Sequence, residues 1–179
     1  FDLASLDRLT RNCDVICPRD PVIIQALKRL GFTRVHPVHA MGEISSTDFE
    51  LLPTRSELPS IPEFGMLFKD HTGTVWNQVD SLLAPSTIDA VKAWAGLVDL
   101  HLARYASQNF EYFESRSTEF PYDEHRQNLA NALSLQPRTV VPGAAGFRLV
   151  DELSWLNSFL FPISAERFVC DLAQMDSEI

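Results

Sequence analysis

A predicted β-hairpin in the middle of the chain changes, after Asp80, into units in which strands alternate with helices. The segments FGMLFKD and TVWNQVD flank a short tip that contains a glycine, which is typical of two antiparallel strands joined by a tight turn. The amphipathic helix pattern PSTIDAVKAWAG and the strand pattern VDLHLARY follow. Hairpins that give way to β-α-β units restrict the chain to a layered α/β domain.

Local start and stop signals place further helices and strands on both sides of this centre. Asp2 is placed to cap the first helix, and a second helix starts at Asp20 and Pro21 and stops at Gly31. With 179 residues, of which 45% are hydrophobic, we expect one domain spanning 1–179. The remaining predicted elements are the strands CDVIC, TRVHPV, DFELLPT and RTVVPGAAGFRL and the helices PYDEHRQNLANALSLQP and PISAERFVCDLAQM.

Charge excludes several classes of partner. The chain has 15 Lys plus Arg against 24 Asp plus Glu, a net charge of −9, without basic runs. We therefore expect no nucleic acid and no membrane as partners. The first residues lack the layout of a signal peptide, which favours a cytoplasmic protein. Cys13, Cys17 and Cys170 are an odd number without CxxC spacing, so they predict neither a zinc knuckle nor a disulfide framework.

Asp80 stands where the hairpin ends and an apolar run is interrupted. An aspartate at a strand end most often caps a turn. A carboxylate at the carboxyl end of a buried strand is also where α/β proteins place metal ligands and catalytic groups. The pattern of residues around Asp80 leaves both interpretations open.

The five histidines do not form an obvious set of metal ligands. His36 and His39 are three apart on a predicted strand, so their side chains point to opposite faces. His71 lies at the hairpin tip, where solvation is expected. Leucines flank His101, which favours a core histidine with a backbone partner. His125 follows two acidic residues at a helix start, which favours a capping role.

Two segments are candidates for substrate binding. Arg104 and Tyr105 close the strand VDLHLARY, and an arginine there is suited to a carboxylate or phosphate, although a salt bridge with Glu111 or Glu114 is the alternative. A long segment without a clean period follows, residues 106–120, and its length makes it a candidate functional loop.

The second segment is the Gly/Ala-rich turn AAGFR, 144–148. Ala145 and Gly146 allow close backbone approach, and together with Arg148 they form a candidate anion contact. Tight packing of a strand against a helix is the alternative explanation for such small residues.

The motifs GTVWNQVDS and VVPGAAGFR, with LLPTR and FGMLF in the same order, resemble the metallo-β-lactamase superfamily. Within it they resemble the lactonase-like branch that includes the ascorbate-6-phosphate lactonases and the non-Rieske part of CMP-N-acetylneuraminate hydroxylase. The resemblance implies an αββα sandwich. This chain would be its C-terminal portion, lacking part of the N-terminal half.

The resemblance also implies a site. Asp80 matches the carboxylate that bridges two divalent ions, which would be zinc, iron or manganese in the complete protein. The main family motif, His-x-His-x-Asp-His, does not occur in the 179 residues. Two later family histidines are replaced by Arg55-Ser56-Glu57 and Gly143-Ala144-Ala145. This chain alone therefore does not predict a dinuclear zinc site, and the sequence also allows that it binds no metal by itself.

Three functions follow as hypotheses from this resemblance. The first is a metal-dependent hydrolase, or the larger part of one, that acts on a small anionic molecule. The second is a domain associated with a Rieske-type oxygenase, and the third is a non-catalytic binding module with a degenerate metal site. In each case we expect a second chain or an N-terminal segment to cover the strand CDVIC and the edge of FGMLF.

Overall fold

The structure is a computed structural model, and it describes residues 2–57, 61–78, 80–106, 120–144 and 148–176. Within these ranges strands and helices follow each other as the sequence predicts. The elements are α1 (Leu3–Asp7), β1 (Asp14–Pro18), α2 (Pro21–Arg29), β2 (Arg34–Val38), β3 (Ile44–Ser45), β4 (Glu50–Arg55), β5 (Phe64–Lys69), β6 (Thr74–Asn77), α3 (Pro85–Ala95), β7 (Leu100–Arg104), α4 (Tyr122–Ser134), β8 (Thr139–Ala144), a 3₁₀ helix (Asp151–Phe159) and α5 (Ala165–Asp176).

The first unit is a small βαβ arrangement in which β1 and β2 form a two-stranded parallel sheet. Helix α2 starts as predicted, because the Asp20 carboxylate accepts hydrogen bonds from the N–H groups of Val22 and Ile23 at 2.9 Å. Gly31 follows its end with φ of 88°, a conformation that suits glycine. Cys17 and Leu27 are buried in the core of this unit.

The second sheet has six strands in the order β3-β4-β5-β6-β7-β8. The segment FGMLF is β5 and pairs on both sides, so the expectation that its edge needs a cover is wrong. Strands β3 to β6 are antiparallel neighbours, and β6, β7 and β8 are parallel. The hairpin and the following β-α-β units are thereby confirmed. The carboxyl ends of β6, β7 and β8 meet at one edge of this sheet, together with the end of β4 and the start of β5. We call this edge the Asp80 edge.

Helices cover one face of the six-stranded sheet. Leu67, Trp76 and His101 lie side by side on neighbouring strands and are fully buried. Helix α3 packs on this row at one end of the sheet, and α4 and α5 pack on the row that contains Ala103. None of the helices in the described ranges is long and apolar enough to cross a bilayer.

The opposite face of the same sheet is apolar but incompletely covered. Phe68, Val75 and Leu100 are cross-strand neighbours on that face. Phe68 is 45% exposed, and Val141 in the adjoining row is 39% exposed. The fold is therefore mixed α/β, as predicted, with helices on one face of its larger sheet. The αββα sandwich itself stays a prediction.

Two elements were not predicted from the sequence. Strand β3 has only two residues, which is too short to give a pattern. The 3₁₀ helix at Asp151–Phe159 contains Asn157, whose side chain bonds both the N–H and the carbonyl of Leu149 at 2.8 Å. This pair of bonds depends on residues eight apart and has no periodic signature.

Candidate functional site

Asp80 lies in a turn that begins directly after β6. The strand ends at Asn77, three residues before Asp80 and earlier than the hydrophobic pattern suggests. Ser81 donates its main-chain N–H to the carbonyl oxygen of Gln78 at 3.3 Å, which closes the turn. Asp80 is partly buried there, at the carboxyl end of a strand. Its position agrees with both interpretations that the sequence left open.

The side chain of Gln78 joins this turn to the neighbouring strand β7. Its Oε1 accepts hydrogen bonds from Nε2 of His101 and from the main-chain N–H of Arg104, both at 3.1 Å. Its Nε2 donates to the carbonyl oxygen of Ser81 at 3.0 Å. The main-chain N–H of Gln78 donates to the carbonyl of Leu102 at 3.1 Å. Gln78 is buried, so these bonds replace its contacts with water.

His101 is a core histidine, as predicted. Its ring Nε2 bonds the side chain of Gln78, and the backbone of Ala132 also interacts with the ring. The ring stacks on Trp76 with the ring centroids 4.6 Å apart and an angle of 10° between the ring planes. Trp76 donates its indole N–H to Oγ1 of Thr54 at 3.1 Å. Burial lowers the pKa of His101 to about 4, and the carbonyl of Ala132 opposes this shift in part. His101 is therefore neutral near pH 7.

Arg104 is buried at the same edge and pairs with a carboxylate. Its guanidinium donates to Oε1 of Glu124, in the first turn of α4, at 3.1 Å. Burial lowers the pKa of Arg104, while the charges of Glu124, Asp80 and Glu63 act in the opposite direction. An arginine remains a cation under such conditions. Arg104 therefore forms an ion pair with Glu124. The partners considered from the sequence, Glu111 and Glu114, lie outside the described residues.

The loop after β4 is tied to the segment that follows Asp80. Ser56 donates its hydroxyl to Oε1 of Glu63 at 2.8 Å and accepts the N–H of Leu82 at 3.3 Å. Glu57 donates its N–H to the carbonyl of Leu82 at 2.9 Å. The loop that replaces a family histidine, Arg55-Ser56-Glu57, thus lies at the Asp80 edge.

The remaining predicted substrate contacts are only partly described. Tyr105 turns towards the helices, where its ring lies 6.1 Å from that of Phe168. Arg148 is exposed. Ala145 and Gly146 lie outside the described residues, as do most of the candidate loop at 106–120 and its aromatic residues other than Phe120. Of the predicted contacts, the structure thus brings Arg104 near Asp80.

Glu63, Glu124 and Gln78 were not singled out from the sequence. Glu63 had a signal, because the residue before β5 must lie beside the end of β4 once the two strands pair. The sequence carries no such signal for Glu124 or Gln78. Their roles depend on how α4 docks and on how β6 and β7 are aligned.

His125 differs from its predicted role. Rather than capping α4, its ring is buried and lies edge-on to Phe120 and Phe168. Its Nε2 bonds Oδ2 of Asp171 on α5 at 2.9 Å. The acidic neighbours favoured a capping role at the helix start, whereas docking of α5 buries this side of the helix. Among the cysteines, Cys17 is buried but Cys170 is exposed.

The described residues do not fit a divalent metal centre by themselves. In these parts of the chain no cluster of three or more His, Cys, Asp or Glu side chains is placed to hold an ion. His36 instead bonds Asp14 at 2.7 Å in the small sheet. A zinc site needs three or four protein ligands, and Asp80 supplies one carboxylate.

Two surface depressions lie away from the Asp80 edge. The first, of about 630 Å³, is at the opposite end of β6 and is lined by residues 46–50 and 69–71. The second, of about 430 Å³, lies between the end of α4, the start of β8 and α5. Neither includes Asp80 or Arg104.

Solved structures with a similar fold include enzymes that depend on metals. A mutant of CmlA, a diiron β-hydroxylase from Streptomyces venezuelae, is 19% identical with a TM-score of 0.52, over 71% of this chain and 30% of CmlA. A possible metal-dependent hydrolase from Veillonella parvula is 12% identical with a TM-score of 0.55, over 81% of this chain and 56% of the hydrolase. An isothiocyanate hydrolase from Delia radicum gut bacteria is 11% identical with a TM-score of 0.55, over 86% of this chain and 62% of the hydrolase.

At these identities the similarity shows the fold alone. This chain spans less than two thirds of the length of each of these proteins. No protein-family model and no curated protein matches the sequence.

Proposed function

We propose that this chain forms the larger part of a metal-dependent hydrolase of the metallo-β-lactamase superfamily. One observation carries the proposal: Asp80 lies where the parallel strands of the larger sheet end, close enough to the buried Arg104 for their charges to interact. In α/β proteins this edge is where ligands bind. The folds of two hydrolases among the similar structures support the same assignment.

In this proposal Asp80 is one ligand of a zinc, iron or manganese centre. The other ligands would come from residues outside the described part of the protein, because the described residues supply too few. The proposed contacts of a small anionic substrate are Arg104, Tyr105, Ala145, Gly146 and Arg148. Since Glu124 pairs with Arg104, a substrate anion would have to compete with that carboxylate for the guanidinium.

The test is to substitute Asp80 in the protein that contains this chain. We expect Asp80→Ala to lower metal-dependent turnover of lactone, phosphodiester, β-lactam or isothiocyanate substrates by about 100-fold or more, because loss of a group that only supports a metal ligand already costs roughly 10- to 100-fold. Asp89→Asn is the matched control, because Asp89 is an exposed aspartate on the neighbouring helix α3. Turnover that survives Asp80→Ala would contradict the site, and absence of hydrolysis with every substrate class would contradict the activity.

A second candidate function is oxidative. The similar fold of a diiron β-hydroxylase favours it, and it corresponds to the predicted association with an oxygenase. Iron bound by the purified protein, together with oxygen consumption in the presence of a reductant, would distinguish this candidate from a hydrolase. A Rieske cluster would need Cys and His ligands from another segment or chain.

A third candidate is a non-catalytic binding module. The observation in its favour is that a buried guanidinium lies near Asp80, Glu63 and Glu124, since a fixed positive charge disfavours a cation at the same place. Elemental analysis separates the candidates: tightly bound metal that is lost in Asp80→Ala supports an enzyme, and a metal-free protein supports the binding module.

We also propose that a further layer covers the second face of the larger sheet, from an N-terminal segment or a second chain. The support is the apolar row of Phe68, Val75 and Leu100, in which Phe68 is 45% exposed. Light scattering with mass spectrometry tests it: a monodisperse monomer of 20.2 kDa with a cooperative melt would contradict the proposal.

A further inference from the structure

The orientation of the Gln78 carboxamide is determined by main-chain groups at both of its ends. The N–H of Arg104 can only donate, so the atom that faces it must be the oxygen. The carbonyl of Ser81 can only accept, so the atom that faces it must be the nitrogen. A rotated amide would place two donors together and two acceptors together. Gln78 therefore has one orientation.

This orientation in turn determines the state of His101. Because Oε1 of Gln78 is an acceptor, the neutral ring of His101 must carry its proton on Nε2. Stacking on Trp76 holds the plane of the ring. His101 thus acts as a directed hydrogen-bond donor that fixes the position of the Gln78 side chain.

The result is a connection between the turn and strand β7. The carboxamide oxygen accepts the main-chain N–H of Arg104. The carboxamide nitrogen donates to the carbonyl of Ser81, the residue that follows Asp80. All three residues that Gln78 bonds through its side chain are buried. A buried polar group that loses its partner is costly, so the turn resists displacement relative to β7.

We propose that Gln78, held in place by His101, is the positioning residue that sets the place of Asp80 relative to Arg104. The consequence for catalysis rests on the proposed function, whereas the geometric claim does not. If Asp80 belongs to a catalytic centre, a small displacement of this turn is enough to lower the rate, because catalysis depends on the placement of reacting groups.

Variants of Gln78 separate the two ends of the connection. Gln78→Glu keeps an oxygen for Arg104 and His101 but places a second oxygen against the carbonyl of Ser81. Gln78→Met has a similar shape and loses all three bonds. His101→Gln keeps a donor for Gln78, and His101→Phe keeps an aromatic ring on Trp76 without the donor. The last pair separates the hydrogen bond from the packing of the ring.

Hydrogen–deuterium exchange with mass spectrometry measures the effect in the protein that contains this chain. We expect Gln78→Glu to raise exchange about tenfold in a peptide that covers Ser81 and to leave a peptide that covers Arg104 unchanged. Gln78→Met and His101→Phe should raise exchange in both peptides, and His101→Gln in neither. A peptide over Leu52 in β4 is the internal control.

Two outcomes would overturn the proposal. One is unchanged exchange at Ser81 and Arg104 in a folded Gln78→Met protein. The other is an equal rise in all peptides, including that of Leu52, which would indicate a general loss of stability. Where the protein hydrolyses a substrate, Gln78→Glu should lower kcat about tenfold with little change in KM. A protein without turnover but with the expected exchange pattern would contradict the proposed function and leave the positioning role supported.

Discussion

The two turns at the ends of strand β6 each contain an aspartate, and they are held in different ways. At the first turn Asp70 is exposed, and its Oδ1 accepts the N–H groups of Thr72 and Gly73 at 2.7 and 3.1 Å. The hydroxyl of Thr72 also donates to it, and these bonds lower the pKa of Asp70. At the second turn, the groups that close the loop around Asp80 are the carbonyl and carboxamide of Gln78.

The comparison shows what burial changes. The hydrogen bonds that close the turn at Asp70 lie within four successive residues. The turn at Asp80 depends on the buried side chains of Gln78, which directly follows β6, and of His101 on β7. An aspartate that caps its own exposed turn is the ordinary role. Asp80, half-buried near an arginine, lies at the carboxyl end of a strand, where α/β proteins place functional groups.

The largest expected difference between the turns at Asp70 and Asp80 is in how their contributions to stability depend on pH. The pKa of His101 is about 4 in the folded protein and near 6.5 in the unfolded chain, so the unfolded state takes up the proton first. The stability that neutral His101 contributes is complete above pH 6.5 and declines as the pH falls towards 4, by about 3 kcal/mol. Urea unfolding at several pH values measures this.

His101→Gln is the control for that titration, since it keeps a donor without a titrating ring. The decline between pH 6.5 and 4 should be absent or much smaller in this variant. The contribution of Asp70 is lost in the same direction but at lower pH: because its pKa is lowered, its stabilising bonds persist above about pH 4 and weaken only below it. An equal decline in the wild type and in His101→Gln would assign the pH dependence to other groups.

The next effect concerns two acidic neighbours in the first turn of α4. Glu124→Gln removes the charge that pairs with the buried Arg104, and we expect it to lower the free energy of unfolding by roughly 2 to 3 kcal/mol. Asp123→Asn is a matched control on the same helix turn, because its pair with Arg126 is exposed. It should cost much less. Similar losses of unfolding free energy in both variants would mean that other carboxylates balance the charge of Arg104.

The smallest expected effect compares two glycines at the two ends of the hairpin. A Cβ on Gly65 would lie 2.6 Å from Oγ1 of Thr54 and 2.9 Å from the carbonyl oxygen of Asn77. We expect Gly65→Ala to cost roughly 2 kcal/mol, because backbone and a bonded hydroxyl would have to move. A Cβ on Gly73 would meet Oδ2 of Asp99 at 2.8 Å, a side chain that can shift, so Gly73→Ala should cost less. Thermal melts of both variants measure which one loses more stability. A larger loss in Gly73→Ala would mean that the Asp99 side chain shifts less easily than the groups beside Gly65.

The glycine comparison also shows where sequence reasoning is limited. The hairpin pattern predicts that Gly73 supplies the conformation of the turn, but among the described residues the positive φ glycines are Gly31 and Gly96. What Gly73 allows is close approach of Asp99, whose Oδ2 accepts the N–H of Thr74 at 2.8 Å. A glycine needed for close approach cannot be told from a glycine needed for a turn in one sequence.

The sequence alone determined the features that depend on neighbours along the chain. Asp20 and Pro21 start α2 because a carboxylate cap and a fixed φ act within one turn of helix. The hairpin β5–β6 and the helices after Pro85 and Pro121 follow from patterns of the same short range. Asp80 was found in this way too, since a strand, a polar residue and a helix in succession mark a strand end.

Tertiary structure decided the rest, because the interactions at the Asp80 edge join residues that are far apart in the chain. Gln78 meets His101 and Arg104 only when β6 and β7 pair in parallel with one alignment, and a shift of one residue would turn its side chain to the other face. Glu124 reaches Arg104 only when α4 docks on the sheet. Composition and periodicity predict which face of a helix or strand is apolar. The identity of a buried polar partner depends on how several helices and strands pack together.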